Sequence, residues 1–210
     1  MTAPVLPADS PDAIARAAAI LREGGLVGMP TETVYGLAAD ANNAAAVARL
    51  YAAKGRPRFN PLIAHVSGIA MAKTLVAWPD LADELAAAFW PGPLTLVLPK
   101  LGGAPICDLA NAGLDSVAIR SPGHAGARAL LSAFGGPLVA PSANPSGGVS
   151  PTTARHVSEG LGDKLDLILD GGACAVGVES TVIAILDGRA TLLRPGGLER
   201  DRIEAISGPL

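Results

Sequence analysis

Hydrophobic positions along this chain follow two rhythms, a helical one of three to four residues and short continuous apolar runs, and the two alternate from end to end. Ser10-Pro-Asp12 opens the first helix: Ser10 caps, Pro11 takes the first helical position and Asp12 meets the positive end. The helix should run to Arg22 or Glu23, where Gly24-Gly25 stops it. Residues 26–29 then read as a short buried strand, 42–54 as a second helix and 62–66 as a strand. Residues 67–78 and 81–89 are predicted as helices separated by Pro79. Trp90-Pro-Gly-Pro93 is a turn into a strand at 94–98, and 102–111 is a loop. A strand at 116–120 ends in an Arg, a helix follows from Ser121-Pro-Gly-His124 to about Phe134, and a strand at 138–140 empties into Pro141-Ser-Ala-Asn144. Pro151-Thr-Thr-Ala begins another helix. Strands are expected at 165–169, 181–186 and 190–193, with Asp187-Gly188 as the hairpin turn between the last two, and a closing helix at 198–206. The alternation predicts one α/β domain over residues 1–210, with a motif-bearing core of about 10–206. Its sheet should be twisted and mostly mixed, with flanking helices.

Composition narrows the function. With half of its 210 residues hydrophobic and 17% charged, the chain has ample material for a buried core. Aromatics are only 3%, so base-stacking platforms are scarce, and a net charge of -3 offers no global attraction to RNA. Weak or no direct RNA binding is the expectation. Cys107 and Cys174 form no CxxC pair and read as buried free thiols. The first twelve residues lack the pattern of a signal peptide, and no apolar run is long enough to span a bilayer. The expected protein is soluble, cytoplasmic and without membrane partners.

The candidate chemistry sits where strands end. Lys54-Gly-Arg-Pro-Arg-Phe-Asn-Pro-Leu62 packs three cations and two Pro into nine residues, a rigid turn suited to polyphosphate. Pro30-Thr-Glu-Thr-Val-Tyr-Gly36, Arg120, and Ser142 with Asn144 each follow a predicted strand, the end at which ligands collect in open α/β sheets. Hydroxyls, an amide and guanidinium groups, with no Ser-His-Asp order and no metal-ligand cluster, suit a nucleotide and a small polar metabolite. No GxGxxG or GxxxxGK[ST] supports a Rossmann or P-loop site.

Seven stretches, in order from about Leu26 to Gly196, resemble the YrdC family of threonylcarbamoyl-AMP synthases. They are Pro30-Thr-Glu-Thr-Val-Tyr-Gly-Leu37, Lys54-Gly-Arg-Pro with Asn-Pro-Leu62, Trp90-Pro-Gly-Pro-Leu-Thr95, Ala118-Ile-Arg120, Pro141-Ser-Ala-Asn-Pro-Ser-Gly147, Val178-Glu-Ser-Thr-Val182 and Leu193-Arg-Pro-Gly196. The resemblance implies a YrdC-like nucleotidyltransferase whose sheet encloses a basic cavity. It would join L-threonine, bicarbonate and ATP into threonylcarbamoyl-AMP, with release of pyrophosphate and with Mg2+ accompanying ATP. The tRNA threonylcarbamoyl transferase machinery would then use that product to modify the adenosine beside the anticodon. The family's signature falls on Lys54, Arg56, Ser142 and Asn144 as catalytic candidates. Its ATP-binding positions fall on Arg56, Asn60, Ser116, Ser142, Ser150 and Arg194, and its threonine-binding positions on Thr33, His65, Arg120, Ala140 and Ser180. Thr31, Lys54 and Glu179 are further candidates. Glu32 and Glu179 are carboxylates near the site that either take a proton or pair with an Arg. No protein side chain is assigned as a metal ligand.

Other readings stand beside this one. Thr31 and Thr33 suit backbone capping, His65 a core histidine, and Ser142 with Asn144 an ordinary turn. Tyr35 and Trp90 read as packing, and His124 and His156 as helix or surface residues. The alternatives in function are a carbamoyl-adenylate-forming relative, as in hydrogenase-maturation carbamoyltransferases, and an RNA-binding module without catalysis. Long members of the family append a second domain through a linker over the site, so this chain is expected to be either a short form or a long form lacking that domain.

Overall fold

A computed structural model describes residues 2–210. Ten strands form one sheet in the order β1-β8-β2-β3-β7-β4-β6-β5-β9-β10. They are β1 (Val5–Pro7), β2 (Val27–Met29), β3 (Gly36–Asp40), β4 (Ile63–His65), β5 (Leu94–Pro99), β6 (Ser116–Arg120), β7 (Leu138–Val139), β8 (Leu167–Asp170), β9 (Thr181–Leu186) and β10 (Arg189–Arg194). The helices are α1 (Pro11–Arg22), α2 (Ala44–Lys54), α3 (Ile69–Ala72), α4 (Asp80–Phe89), α5 (Ala125–Phe134), α6 (Ala154–Leu161) and α7 (Arg200–Ser207). Parallel pairs such as β4–β6 and β5–β9 mix with antiparallel ones such as β3–β7 and β5–β6, which makes the sheet mixed, as expected.

Local chemistry sets the helix ends. Ser10 Oγ accepts from the Ala13 amide and Asn43 Oδ1 from those of Ala45 and Ala46. Gly55 closes α2 in the left-handed region, at φ 61°, which throws the chain sharply from Lys54 towards Arg56. The two sheet faces carry separate apolar layers. On one, α1 and α5 pack Leu21, Leu130 and Leu131 against Val27, Met29 and Leu167. On the other, Leu50, Leu85, Leu96 and Ile119 belong to a larger cluster.

Three elements depart from expectation. The helix predicted at 67–78 shrinks to Ile69–Ala72, because the sheet recruits the backbone after it: Ala77 N–H donates to the Pro99 carbonyl and Leu101 N–H to that of Leu75. β1 is a three-residue edge strand bounded by Pro, too short to show alternation. β3 begins at Gly36, a position that reads as the end of a turn, yet it pairs with β2 from Met29↔Gly36 onward. The Asp187-Gly188 turn forms as expected, with both residues at positive φ. Both cysteines are free but only half-buried. No helix among the described residues is long and apolar enough to cross a membrane.

Candidate active site

Neighbouring strands and the turns between them wall a cavity of about 590 Å³. The turn after β2 contributes Thr31 and Thr33, the loop after α2 contributes Arg56 and Asn60, and β4 and β6 contribute His65 and Arg120. Ala140 and Ser142 follow β7, Glu179 and Ser180 lead into β9, and Arg194 ends β10. Eleven of the predicted residues thus line a single space. A larger cavity of about 990 Å³ lies between α1, β1 and α5, but it is mostly apolar and holds none of them. Chemistry rather than volume decides between the two.

His65 and Arg120 are in register on adjacent parallel strands. His65 is buried, and burial followed by the nearby Arg120 charge lowers it to about 3, so its ring is neutral. Its Nδ1 lies 3.2 Å from the Ile63 carbonyl. Donation there fixes the tautomer and leaves Nε2 as an acceptor. Arg120 is 4% exposed. Its Nε donates to the Gly92 carbonyl at 3.2 Å and its Nη2 to Glu32 Oε1 at 2.6 Å. Of the two carboxylates noted in the sequence, Glu32 therefore pairs with an Arg.

Hydroxyls complete this wall. Thr31 Oγ1 donates to the Val34 carbonyl at 2.6 Å and lies 2.9 Å from Thr33 Oγ1, so Thr31 braces the turn that presents Thr33. Ser180 Oγ meets Thr95 Oγ1 at 2.7 Å and accepts from Arg194 Nη2 at 3.1 Å. Arg194 also donates from Nε and Nη2 to the Ser180 carbonyl, which fixes its guanidinium against β9. Gly196 makes this approach possible, since a Cβ there would lie 2.4 Å from the Glu179 carbonyl oxygen. Glu179 is the one carboxylate on the lining, beside three guanidinium groups. A 2.5 Å bond from Ser150 Oγ is the first cause that holds its carboxyl below the usual range. Arg56 Nε is buried without a partner, and its Nη2 donates to the Pro61 carbonyl.

Four predicted residues are not on the lining. Lys54, expected to share the phosphates, is 3% exposed and donates from Nζ to the carbonyls of Ser142 and Asn144. Its own carbonyl accepts from Ser146 N–H. It holds a loop, because its ammonium finds backbone acceptors at the end of α2. Asn144 is part of that loop: Nδ2 donates to the carbonyls of Pro145 and Gly148. Ser150 is tied to Glu179 at the rim. Ser116 shares the face of β6 that bears Ala118 and Arg120, about 7 Å beyond Ala118. Sequence reasoning missed Thr95 and Val182, although both lay within motifs that it had marked. Tyr35 and Trp90 pack as expected, Tyr35 buried with its hydroxyl donating to the Gly172 carbonyl and Trp90 against Trp78.

The family described as "Telomere recombination", comprising Sua5, YciO and YrdC proteins, matches residues 19–196. The chain is 50% identical to the threonylcarbamoyl-AMP synthase of Bacillus subtilis over 94% of its own length and 57% of that relative. It is 42% identical to that of Halorhodospira halophila over 79% of its own length and 86% of the relative. The crystal structure of Pyrococcus abyssi Sua5 complexed with L-threonine superimposes with a TM-score of 0.93 at 45% identity, over 99% of this chain and 61% of that one. The chain thus spans little more than half of some relatives and most of others. It carries the motifs, fold and cavity together, and it belongs to the Sua5/YciO/YrdC family.

Proposed function

We propose that this chain is an L-threonylcarbamoyladenylate synthase, a nucleotidyltransferase that joins L-threonine, bicarbonate and ATP with release of pyrophosphate. The observation that carries the reading is one cavity lined by a neutral histidine, a fixed Arg120 and two further guanidinium groups. The relatives named as threonylcarbamoyl-AMP synthases and the Sua5 structure with L-threonine support it.

Each group has a task in this reading. The N–H groups of Arg120 not engaged by Gly92 and Glu32 receive the threonine carboxylate. His65 Nε2, an acceptor, receives an N–H or O–H of the amino acid, with Thr33 and Ser180 beside it. The threonine nitrogen bonds to the bicarbonate carbon as one of its C–O bonds breaks, so that a water made from the departing hydroxide and an amine proton leaves and a carbamate remains. A carbamate oxygen then attacks the α-phosphorus of ATP, and the bond to pyrophosphate breaks. The substrates supply both nucleophiles, so the protein contributes position and charge. Arg56 and Arg194 face the polyphosphate, and Ser142 and Asn60 lie on the same lining. Lys54 keeps Ser142 in place from behind. Among the described residues no group of three carboxylate, His or Cys side chains forms a metal cage. Mg2+ would enter with ATP, held mainly by phosphates and water, and would offset the charge of the nucleotide.

The product would pass to the tRNA threonylcarbamoyl transferase machinery of the cytoplasm, and the chain itself would bind tRNA weakly or not at all, given its acidic balance. Pyrophosphate release from ATP, Mg2+ and bicarbonate tests the reading. It should depend on L-threonine and not be matched by serine or glycine at equal concentration. Release that is indifferent to the amino acid would overturn it.

A further inference from the structure

Glu32 is bonded to Arg120, a residue of the cavity lining, yet the reaction as proposed gives it no task. Both of its oxygens are engaged: Oε1 accepts from Arg120 Nη2 at 2.6 Å and Oε2 from the Gly123 amide at 2.9 Å. Its carbonyl accepts from Val176 N–H at 2.8 Å, so its backbone is held as well. The ion pair is largely shielded, the Arg120 side chain 5% exposed and that of Glu32 17%. A carboxylate held this way is poorly placed to act as a base, since taking a proton would break the pair. It is well placed to aim a guanidinium.

The guanidinium is planar, so fixing two of its nitrogens fixes the direction of every N–H. Gly92 holds Nε and Glu32 holds Nη2. Gly92 is itself located by its amide, which donates to the Ser121 carbonyl, one residue past Arg120. Of the five N–H groups two are engaged, and three remain for a ligand. Remove Glu32 and the guanidinium keeps one anchor, about which it can turn, beside the Gly123 amide that has lost its acceptor.

We infer that Glu32 is a positioning residue: it holds Arg120 so that its unengaged N–H groups meet an amino-acid carboxylate in the cavity. The inference rests on the reading that Arg120 receives the threonine carboxylate. It runs against simple electrostatics, because an anion beside Arg120 should weaken the binding of a second anion. If Glu32 were only a competing anion, its removal would tighten threonine binding. If it positions Arg120, removal weakens it.

The test is calorimetric titration of the full chain and its Glu32→Gln variant with L-threonine, with L-threoninol, in which a hydroxymethyl group replaces the carboxylate, and with ATP. Glu32→Gln should weaken threonine binding about tenfold or more. Threoninol and ATP should change by no more than about twofold, because neither meets Arg120 through an amino-acid carboxylate. A merely structural role would weaken all three alike. Glu32→Asp keeps the charge but is one methylene too short to reach both partners. It should show the same selective loss in smaller degree, which serves the test if the Gln variant does not fold. An intact preference for threonine over threoninol in a folded variant, or tighter threonine binding, would overturn the inference alone. Wild-type protein with no such preference would overturn the carboxylate reading and the inference with it.

Discussion

Lys54→Met removes the ammonium but keeps an apolar side chain of similar length in the space behind Ser142. The change leaves two buried carbonyls, those of Ser142 and Asn144, without their donor. Orphaning a buried acceptor costs about 1–3 kcal/mol each. Against this, the variant no longer has to bury an ammonium 3% exposed and close to Arg56, a relief of several kcal/mol that cancels much of the loss. A net destabilisation of about 2 kcal/mol follows, which for a chain of this size lowers Tm by about 4–8 °C. The effect on activity should be larger, because the loop carrying Ser142 is no longer clamped and a displacement of about 1 Å costs on the order of 100-fold in rate. Affinity for ATP should fall less than kcat, since Arg56 and Arg194 remain on the lining. Burial first and Arg56 second lower the Lys54 pKa to about 8. An unfolded chain keeps that proton to about pH 10.4, so between pH 8 and 10 the unfolded state binds more protons and wild type gains stability relative to Lys54→Met as pH rises. The assays are urea unfolding across that range and pyrophosphate release with ATP titrated. Loss of ATP affinity as large as the loss in kcat, with Tm unchanged, would refute the clamp and make Lys54 a phosphate contact.

Other changes should separate the parts of the site. Arg120→Ala should weaken L-threonine binding by about 2–5 kcal/mol in calorimetry and ATP binding much less, and equal losses would remove Arg120 from the carboxylate. Gly196→Ala would place a Cβ within 2.5 Å of the Thr181 amide nitrogen, so Tm should fall and Arg194 should shift from Ser180; unchanged Tm and ATP affinity would show that the turn yields freely. Burial lowers His65 to about 3, below its unfolded value near 6.5. Its contribution to stability is therefore present above about pH 6.5 and lost as pH falls towards 3. Wild type should lose stability relative to His65→Asn between pH 6.5 and 4 in urea unfolding, and parallel profiles would place a charged imidazole in the fold.

Most of the fold is legible because its elements carry strong local signals. Ser10-Pro-Asp12 and Gly24-Gly25 bracket α1 within one residue, and the Asp187-Gly188 hairpin is written in its dipeptide. What is hidden depends on partners distant in sequence. The stretch after α3 looks helical until the backbone beside Pro99 claims its hydrogen bonds. β3 is invisible until β2 and β7 are placed on either side of it. The site is legible in the same degree. Types and motifs identified residues that the strand ends bring to one cavity. They did not distinguish a cation that lines the cavity, such as Arg56, from one that faces backbone, such as Lys54, because both lie in one cationic turn and only the chain reversal at Gly55 separates them. Nor did they show that Glu32 belongs to Arg120, since the two are 88 residues apart.

The most direct measurement of the central claim is the mass of the adenylate formed from ATP, L-threonine and 13C-labelled bicarbonate with Mg2+. The account predicts threonylcarbamoyl-AMP one mass unit heavier than the product made from unlabelled bicarbonate. An adenylate of threonine itself, without the added carbon, or hydrolysis of ATP with no adenylate formed, would contradict it.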